Sequence, residues 1–319
     1  MNVFVTGGSG FVGDHLVERL LQRGDRLWCL TRKPRERLAA SIEWIVADLL
    51  DVGSYESVLN KIDVVIHLAG LLSTRRREHY QRVNVEGTRA LLDACRRAGA
   101  PLRRFVHISS IAAMGARDDN TLLRESDPCA PRSEYGKSKL LAEQVVSEFA
   151  SSLPVVVLRP SLVYGTGDIR SLQYLRSLLG ASTATQLSAI QTVSFCHVSD
   201  VIECCLLCLE RQVASGDLFI VSNPDVYTMD RVRRTLRQVM LALARERVRI
   251  AEPALRCLLG RLLPRRAPRQ VGKPEYWGCD IGKATSELGF RPGVSFRRGA
   301  ESTVRWYLDQ GLLDTTMVG

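Results

Sequence analysis

The chain has 319 residues, a net charge of +10 and a mean hydropathy near zero, with 45% hydrophobic and 24% charged residues. These values are typical of a folded globular protein, and no apolar run is long enough to cross a bilayer. Met1 leads into an apolar run without the features of a secretory leader, and the nine cysteines lack the spacing of a disulfide framework, so we expect a cytoplasmic protein.

From the first residue to about residue 165, short apolar runs alternate with helical patterns. The apolar runs predict strands at residues 2–6, 26–31, 64–68, 105–109 and 155–158. Helices are predicted at residues 12–23, 55–60, 86–98 and 134–150. This alternation indicates parallel strands joined by helical crossovers, and therefore an α/β fold with a doubly wound, Rossmann-type parallel sheet.

The pattern becomes irregular after the last of these strands. We predict a dinucleotide-binding Rossmann domain at residues 1–165, to which residues 196–223 return with a strand at 219–222. Residues 166–195 and 224–319 are predicted to form a smaller, mainly substrate-binding C-terminal lobe.

A glycine-rich turn joins the first predicted strand to the first helix. Gly7, Gly10 and Gly13 form the pattern GxxGxxG within the sequence TGGSGFVG. Glycine permits a tight turn, lets the backbone approach a pyrophosphate closely, and lets helix and strand pack together. The first turn of the helix then presents unpaired N–H groups and a partial positive charge to the phosphates. The turn therefore predicts a dinucleotide site.

The end of the second strand indicates which dinucleotide is bound. In folds of this kind an acidic residue at this point hydrogen-bonds the adenosine ribose. Here Thr31 and Arg32 stand in its place, with further positive charge behind them. Because an arginine can bind a 2′-phosphate, we expect NADP(H), with NAD(H) as the alternative. Asp48 follows a third strand and suits a contact with the adenine edge.

Further short motifs follow in order along nearly the whole chain. They are HLAG at 67–70, NVEGT at 84–88, HISS at 107–110, YGKSK at 135–139, RPSLVYG at 159–165, HVSDV at 197–201 and LGFRP at 288–292. Together with the glycine pattern, they resemble the extended short-chain dehydrogenase/reductase superfamily, which includes NAD-dependent epimerases and dehydratases. The resemblance implies a homodimer formed through the helices at 84–98 and 135–150. The cofactor contacts that it implies are Gly7, Gly10, Phe11, Val12, Gly13, Thr31, Arg32, Asp48, Leu49, Leu68, Ala69, Gly70, Ser109, Tyr135, Lys139, Pro160, Leu162 and Val163.

Tyr135 and Lys139 are four residues apart on a predicted helix, so their side chains share one face. A free tyrosine has a pKa of about 10, and a nearby ammonium group lowers it. The resemblance implies that Lys139 also binds the nicotinamide ribose. It further implies that Ser110 and Tyr135 hold the substrate oxygen, with Asn84 as a support. Tyr135 would then donate a proton to a carbonyl oxygen while hydride reaches the carbonyl carbon, or act as the base in the reverse direction.

No metal or redox site is predicted. Cys205 and Cys208 form a CxxC motif without a second ligand pair, which is typical of apolar positions on a buried helix. His67, His107 and His197 occur without a carboxylate cluster, and we interpret them as structural residues.

Several positions depart from the motifs of nucleotide-sugar enzymes in this superfamily. Ile111 and Ala112 replace the Asp-Glu pair that follows the catalytic hydroxyl residue in 4,6-dehydratases, which excludes dehydration. Val193 and Gln270 replace arginines that bind the sugar-nucleotide diphosphate in epimerases, and Met114 replaces a tyrosine. The loss of charge-assisted phosphate contacts weakens the epimerase interpretation without excluding it.

The predicted lobe is strongly basic and also carries apolar segments. Residues 231–269 contain twelve arginines and two glutamates, a net charge of +10, so the rest of the chain is neutral overall. We interpret this stretch as a solvated helical face, with an acidic substrate or peripheral contact to an anionic membrane as alternatives. Nucleic-acid binding is not expected, because no recognised motif accompanies the charge. Residues 241–244 are apolar, and residues 255–263 are apolar except for Arg256 and Arg261. These segments indicate core packing or a pocket for a lipophilic alcohol or ketone.

We therefore predict an NADP(H)-dependent oxidoreductase that interconverts a secondary alcohol and a ketone, with Tyr135 as acid or base and a small molecule as substrate. The first alternative is a nucleotide-sugar epimerase with tightly bound NAD(P). The second is a non-catalytic dinucleotide-binding sensor, against which the intact Ser110, Tyr135 and Lys139 argue.

Overall fold

The computed structural model describes residues 1–35, 39–99, 102–178, 189–248 and 273–313. Its strands are β1 (Asn2–Thr6), β2 (Arg26–Thr31), β3 (Ile42–Val46), β4 (Val64–His67), β5 (Arg104–Ile108), β6 (Val155–Pro160), β7 (Leu162–Tyr164), β8 (Ile190–Val193), β9 (Phe195–His197), β10 (Leu218–Val221), β11 (Tyr227–Thr228) and β12 (Glu275–Trp277). Its α-helices are α1 (Phe11–Gln22), α2 (Glu56–Leu59), α3 (Arg77–Tyr80), α4 (Gly87–Ala98), α5 (Glu134–Glu148), α6 (Ser171–Leu178), α7 (Val198–Glu210), α8 (Met229–Val248) and α9 (Phe296–Asp309). Shorter 3₁₀ or π turns occupy Val52–Ser54, Gln81–Glu86, Ile111–Ala113 and Ala284–Leu288.

A seven-stranded sheet forms the centre of the fold, in the order β10-β6-β5-β4-β1-β2-β3. All neighbouring strands in it are parallel, which confirms the predicted doubly wound Rossmann-type sheet. The chain re-enters this sheet late, where Phe219 of β10 pairs with Leu158 of β6. The strand order reverses between β1 and β4, and ligands of open α/β sheets bind in the crevice at the carboxyl ends of such strands.

The sheet is buried on both faces because its strands are nearly continuous apolar runs. Along β1, Val3 and Val5 belong to one core cluster, whereas Phe4 points to the opposite face and belongs to another. The first cluster includes residues of α1 and α7, and the second includes residues of α4 and α5. Cys205 and Cys208 are fully buried in the first cluster, so the CxxC motif is part of the hydrophobic core.

A third hydrophobic cluster, called here the smaller cluster, lies away from the main sheet. In it α8 and α9 pack against the three-stranded sheet β11-β8-β12. Val232 of α8 and Phe296 of α9 are among its buried members. Leu243 and Ala244 are also buried in this cluster, which confirms core packing for that part of the apolar segment predicted at 241–244.

The basic stretch begins on α8. There Arg233 pairs with Asp230 at 2.9 Å, and Arg231 lies over the ring of Tyr227, 4.5 Å from its centroid. The remainder of this stretch beyond residue 248, including the apolar residues 255–263 and Gln270, lies outside the described residues. Within the part of the chain that the structure describes, no helix is both long and apolar enough to span a bilayer.

Candidate active site

The glycine turn at residues 7–13 is packed so closely against backbone that Gly7 and Gly13 have no room for a side chain. Gly7 has a positive φ of 73°, and a Cβ atom there would lie 2.7 Å from the backbone nitrogen of Ala69. A Cβ atom on Gly13 would lie 2.1 Å from the carbonyl oxygen of Gly7. Gly10 directly precedes α1, and no side chain caps this end of the helix. The first N–H groups of α1 are therefore available to an anion, as a bound pyrophosphate requires.

The first turn of α1 begins with Phe11 and Val12. Val12 packs against the core, and the Phe11 ring meets the His15 ring edge-on, with centroids 5.8 Å apart. Phe11 also lies beside Gly167, where an added Cβ atom would be 3.6 Å from the ring. The His15 Nε2 atom is 2.7 Å from the carbonyl oxygen of Thr166. The start of α1 is thereby held against the chain that follows β7.

The described residues after β2 include two arginines, and Arg35 is the one of these two that contacts the glycine turn. Thr31 ends the strand and is 5% exposed, with its hydroxyl hydrogen-bonded to the backbone of Lys33. Arg32 is exposed. Arg35 donates hydrogen bonds to the Asp14 carboxylate at 2.7 Å and to a carbonyl oxygen of the glycine turn at 3.2 Å. Arg32 was predicted to bind the cofactor, and the structure adds Arg35 as a second cation, in contact with the phosphate cradle.

The residues that follow β3 have separate roles. Asp48 is exposed, and its carboxylate accepts a hydrogen bond from the backbone of Leu50 at 3.0 Å. The Leu49 side chain is buried beside Gly87, where an added Cβ atom would approach it to 2.5 Å. The Tyr55 hydroxyl donates to the carbonyl oxygen of Leu49 at 2.7 Å. Asp48 is therefore the accessible member of this pair.

The loop after β4 connects the glycine turn to α5. The backbone nitrogens of Leu68 and Ala69 donate to the backbone and side-chain oxygens of Thr6, at 3.1 and 3.2 Å. A Cβ atom on Gly70 would lie 3.8 Å from the Lys139 Nζ atom. The phosphate cradle and the ammonium group of Lys139 therefore lie on either side of one short loop.

Tyr135 lies in the first turn of α5, close to the turn that follows β5. The Ser133 hydroxyl caps the helix by accepting a hydrogen bond from Gly136 N at 3.0 Å. A Cβ atom on Gly136 would lie 2.3 Å from the carbonyl oxygen of Ala112, so only glycine allows the helix to pack this closely. This approach brings Tyr135 close enough to Ser110 for the serine hydroxyl to act on the phenol.

Burial raises the pKa of Tyr135 to about 12, although the Ser110 hydrogen bond and the positive charge of Arg170 act to lower it. The direction is opposite to the one predicted from Lys139 alone, because loss of hydration penalises the phenolate more than these groups favour it. Tyr135 is therefore a neutral phenol at physiological pH, which is the form that donates a proton.

Lys139 is 4% exposed, and its ammonium group donates a hydrogen bond to the carbonyl oxygen of Ile108 at 2.6 Å. Burial lowers the pKa of Lys139 to about 8, while the negative charge of Glu143 acts to raise it. The ammonium form is therefore retained at neutral pH with a small margin.

A buried ion pair lies beyond Lys139 on the same face of α5. Glu143 accepts hydrogen bonds from Arg159 at 2.9 and 2.6 Å, and it also accepts one from the Ser109 hydroxyl. This pair was not predicted from the sequence, although the spacing of four residues between Tyr135, Lys139 and Glu143 is a signal for it. Ser109 was predicted to contact the cofactor, but its hydroxyl is committed to Glu143.

Asn84 is 1% exposed and joins the loop after β4 to α5. Its side-chain oxygen accepts from the backbone of Leu71 at 2.6 Å, and its nitrogen donates to the Ser138 hydroxyl at 2.8 Å. Asn84 therefore holds the two segments that flank Lys139, and its side chain supports the candidate site without reaching Tyr135 in any of these contacts.

The chain after β6 borders the other side of Tyr135. Pro160 is buried at the end of β6, Val163 is partly buried, and Leu162 between them is 45% exposed. Further on, the charge of Arg170 acts on Tyr135. The predicted contacts Pro160, Leu162 and Val163 therefore lie at the same edge of the sheet as the candidate catalytic residues.

The three histidines considered in the sequence occupy structural positions. His67 lies between the hydroxyls of Thr6 and Thr88, at 2.6 and 2.9 Å, and burial lowers its pKa to about 3. His107 is buried beside it, with ring centroids 5.2 Å apart, and His197 caps the start of α7. Among the described residues, no three His, Cys, Asp or Glu side chains are grouped so that they could hold a metal ion.

Together these contacts place a proton donor, an ammonium group and a cradle for phosphates at one edge of the sheet. Ile111, which directly follows Ser110, is buried and apolar, and Ala112 carries no acid or base. The arrangement can bind a dinucleotide and move a proton at a substrate oxygen, but these two positions supply no group for eliminating water.

Residues 3–222 match the NAD dependent epimerase/dehydratase family. The chain belongs to this family. The match confirms the resemblance to extended short-chain dehydrogenases/reductases that was based on the ordered motifs. It also makes the protein an enzyme of the NAD(P)-dependent epimerase/dehydratase type.

Proteins that are named for different activities are similar to this chain at comparable sequence identity. The Sterol demethylase protein B of Methylococcus capsulatus is 27% identical, over 98% of this chain and 100% of its own length. The Ceramide reductase of Caulobacter vibrioides is 31% identical, over 79% of this chain and 74% of its own. The UDP-glucose 4-epimerase of Vibrio cholerae is 26% identical, over 96% of this chain and 95% of its own.

Among solved structures, MoeE5 in complex with UDP-glucuronic acid and NAD is similar over 97% of this chain and 100% of its own. Its sequence is 26% identical and the TM-score is 0.76. The similarity extends over both the main sheet and the smaller cluster, so the two chains share the whole architecture.

Proposed function

We propose that this enzyme is an NADP(H)-dependent oxidoreductase that interconverts a secondary alcohol and a ketone. The observation that carries the proposal is the contact between Ser110 and Tyr135 next to buried Lys139, across one short loop from the glycine cradle. A proton donor within reach of a hydride donor is the requirement for reducing a carbonyl group.

The bound dinucleotide would supply or accept the hydride. Residues of the protein would bind the dinucleotide, hold the substrate oxygen and transfer the proton. The N–H groups at the start of α1 bind the pyrophosphate, and Lys139 binds the nicotinamide ribose. Ser110 and Tyr135 hold the substrate oxygen, and the neutral phenol of Tyr135 donates its proton in the reducing direction. In the oxidising direction Tyr135 would first release its proton to solvent, and the phenolate, next to the ammonium group of Lys139, would accept the proton of the alcohol.

We favour NADP(H) because cations, rather than an acidic residue, follow β2. Arg32 is exposed at the point where an acidic residue would otherwise bind the ribose, and Arg35 lies against the glycine turn. Guanidinium groups are suited to a 2′-phosphate. The solved relative MoeE5 contains NAD, so NAD(H) is the alternative that the binding measurement must compare.

The names of the relatives are consistent with two candidate reactions for this enzyme, an oxidoreduction and an epimerisation. Ceramide reductase and Sterol demethylase protein B are consistent with an oxidoreductase acting on a lipophilic substrate. UDP-glucose 4-epimerase and the UDP-glucuronic acid bound to MoeE5 favour a nucleotide-sugar epimerase as the second candidate. We favour the first, because Val193 is buried among apolar side chains where epimerases have a diphosphate-binding arginine.

The test is a turnover assay on the purified enzyme. NADPH is added with a panel of ketones, and UDP-sugars and dTDP-sugars are assayed separately without added cofactor. Net NADPH consumption supports the proposal, whereas sugar interconversion without net consumption establishes the epimerase. Dinucleotide binding without turnover of either panel would favour the non-catalytic sensor.

A matched pair of variants links the activity to Tyr135. Tyr135→Phe removes the proton donor, so turnover should fall by about 10²-fold or more while NADPH binding is retained. Tyr80→Phe is the control, because its ring centroid lies 6.3 Å from that of Tyr135 and its hydroxyl donates a hydrogen bond to the backbone of Leu72, at 3.3 Å. Equal activities of the two variants would exclude Tyr135 as the acid.

A further inference from the structure

A cavity of about 220 Å³ lies within the smaller cluster, between β8, β9 and the helices α6, α8 and α9. Its wall is mostly aliphatic and aromatic. Representative members are Leu175, Val193, Leu236, Phe296 and Val304. The rings of Phe195 and Phe296 stack at 4.4 Å and give the cavity a rigid apolar side.

Three of the hydroxyl groups in this wall donate their protons within the protein. The Tyr307 hydroxyl donates to the carbonyl oxygen of Asp168, and the Ser171 hydroxyl donates to the carboxylate of the same residue. The Thr303 hydroxyl donates to the carbonyl oxygen of Gly299 at 2.7 Å. Among the described residues no charged side chain lines the cavity. A charged occupant would therefore lose its hydration without gaining a charged partner.

The cavity reaches the edge of the main sheet that carries the candidate catalytic residues. Ser171 lines it, and the preceding residue, Arg170, is the one whose charge acts on Tyr135. Leu162, at the carboxyl edge of the main sheet, also lines it. Leu162 and Tyr174 are 45% and 43% exposed, which makes the opening of the cavity apolar as well. A substrate whose oxygen lies at Tyr135 can therefore extend an apolar portion into the cavity.

We propose that this cavity binds the hydrocarbon portion of the substrate, and that the enzyme acts on ketones or secondary alcohols that carry an alkyl chain or apolar ring. The inference rests on the proposed function and names its substrate class. In the reducing direction the ketone carbon gains the hydride that NADPH loses, and the carbonyl oxygen gains the Tyr135 proton. The products are the secondary alcohol, NADP⁺ and a tyrosinate that solvent reprotonates.

Methyl ketones from 2-butanone to 2-dodecanone test the inference with NADPH and the wild-type enzyme. Each buried methylene contributes up to about a fourfold gain in kcat/KM, so the value should rise steeply with chain length until the cavity is filled. A kcat/KM that is independent of chain length would overturn the inference and leave the proposed function standing.

Two variants locate the effect in the cavity. Ala300→Leu adds volume inside the wall, and Tyr174→Glu adds a charge at the exposed opening, where folding tolerates it. Both should lower kcat/KM for 2-dodecanone by at least about tenfold while 2-butanone turnover is retained. Leu122→Glu is the control, because it places the same charge on an exposed apolar residue outside the cavity wall. A control that behaves like Tyr174→Glu would overturn the assignment.

A binding measurement separates this inference from the proposed function. The fluorescent probe N-phenyl-1-naphthylamine should bind wild-type protein, be displaced by 2-dodecanone, and bind poorly to Ala300→Leu. If this pattern is found but no ketone oxidises NADPH, the hydrocarbon site stands and the proposed reaction fails. If the probe does not bind, or if the variant binds it equally well, the hydrocarbon site is overturned.

Discussion

The Glu143 carboxylate accepts two hydrogen bonds from Arg159, at 2.9 and 2.6 Å, one helical turn beyond Lys139 along α5. The two side chains are 6% and 5% exposed, so the ion pair is buried. Its negative member is the group that acts to raise the pKa of Lys139 against the effect of burial. The pair therefore stabilises the structure behind the candidate site and helps to keep the lysine charged.

Glu143→Gln should affect both stability and pH dependence. Removing one partner of a buried ion pair leaves Arg159 uncompensated, which costs about 3–5 kcal/mol in the free energy of unfolding. The pKa of Lys139 should also fall, because the charge that raises it is gone. Chemical denaturation and the alkaline limb of the activity profile measure the two effects.

Glu148→Gln is the matched control for that variant. It removes a carboxylate from the same helix, where Glu148 pairs with Arg89 at 2.7 Å at the surface. Exposed ion pairs contribute little to stability, so the denaturation midpoint and the pH profile should hardly change. If the two glutamine variants lost equal stability, the buried ion pair would contribute no more to the free energy of unfolding than the exposed one.

Activity in the reducing direction should decrease as pH rises through about 8, the pKa to which burial lowers Lys139. Below this value the lysine carries its positive charge, and above it the charge is lost, while Tyr135 with its pKa of about 12 keeps its proton throughout. Lys139→Arg retains the charge at all these pH values. Whatever activity that variant keeps should lack the alkaline limb, and a limb at the same pH would assign it to another group.

Gly13→Ala should weaken dinucleotide binding. Its Cβ atom would lie 2.1 Å from the Gly7 carbonyl oxygen, and backbone must move to relieve the contact. We expect the affinity for NADPH, measured by calorimetry, to fall by at least about tenfold. Gly53→Ala is the control, because its Cβ atom would meet nothing within 4 Å. An unchanged affinity in Gly13→Ala would show that the cofactor does not use this turn.

Arg32→Ala should weaken NADPH binding by about tenfold or more, the usual loss for a hydrogen bond to a charged group, and leave NADH binding unchanged. Arg35→Ala tests the second cation, which lies against the glycine turn. Arg19→Ala, in the last turn of α1, removes a positive charge far from the cradle and serves as the control. Equal losses for NADPH and NADH would mean that neither arginine reads the 2′-phosphate.

The sequence predicted the sheet and most of the candidate site because the signals are local. Continuous apolar strands and the glycine turn are readable within short windows, and Tyr135 and Lys139 share one helix. The partner of Glu143 was not predictable in this way, since Arg159 lies on a strand and meets it only in the folded sheet. The pKa of Tyr135 was predicted in the wrong direction because burial is a property of the packed structure.

The hydroxyls of Tyr307, Ser171 and Thr303 give the apolar cavity a second property. Because each of these hydroxyls already donates its proton within the protein, an extra hydroxyl along the buried portion of a substrate would lose its water and gain no donor from these three groups. Such a compound could have the right size and still bind poorly. In the proposed site, discrimination among substrates of equal shape would then depend on where along the hydrocarbon they are oxygenated.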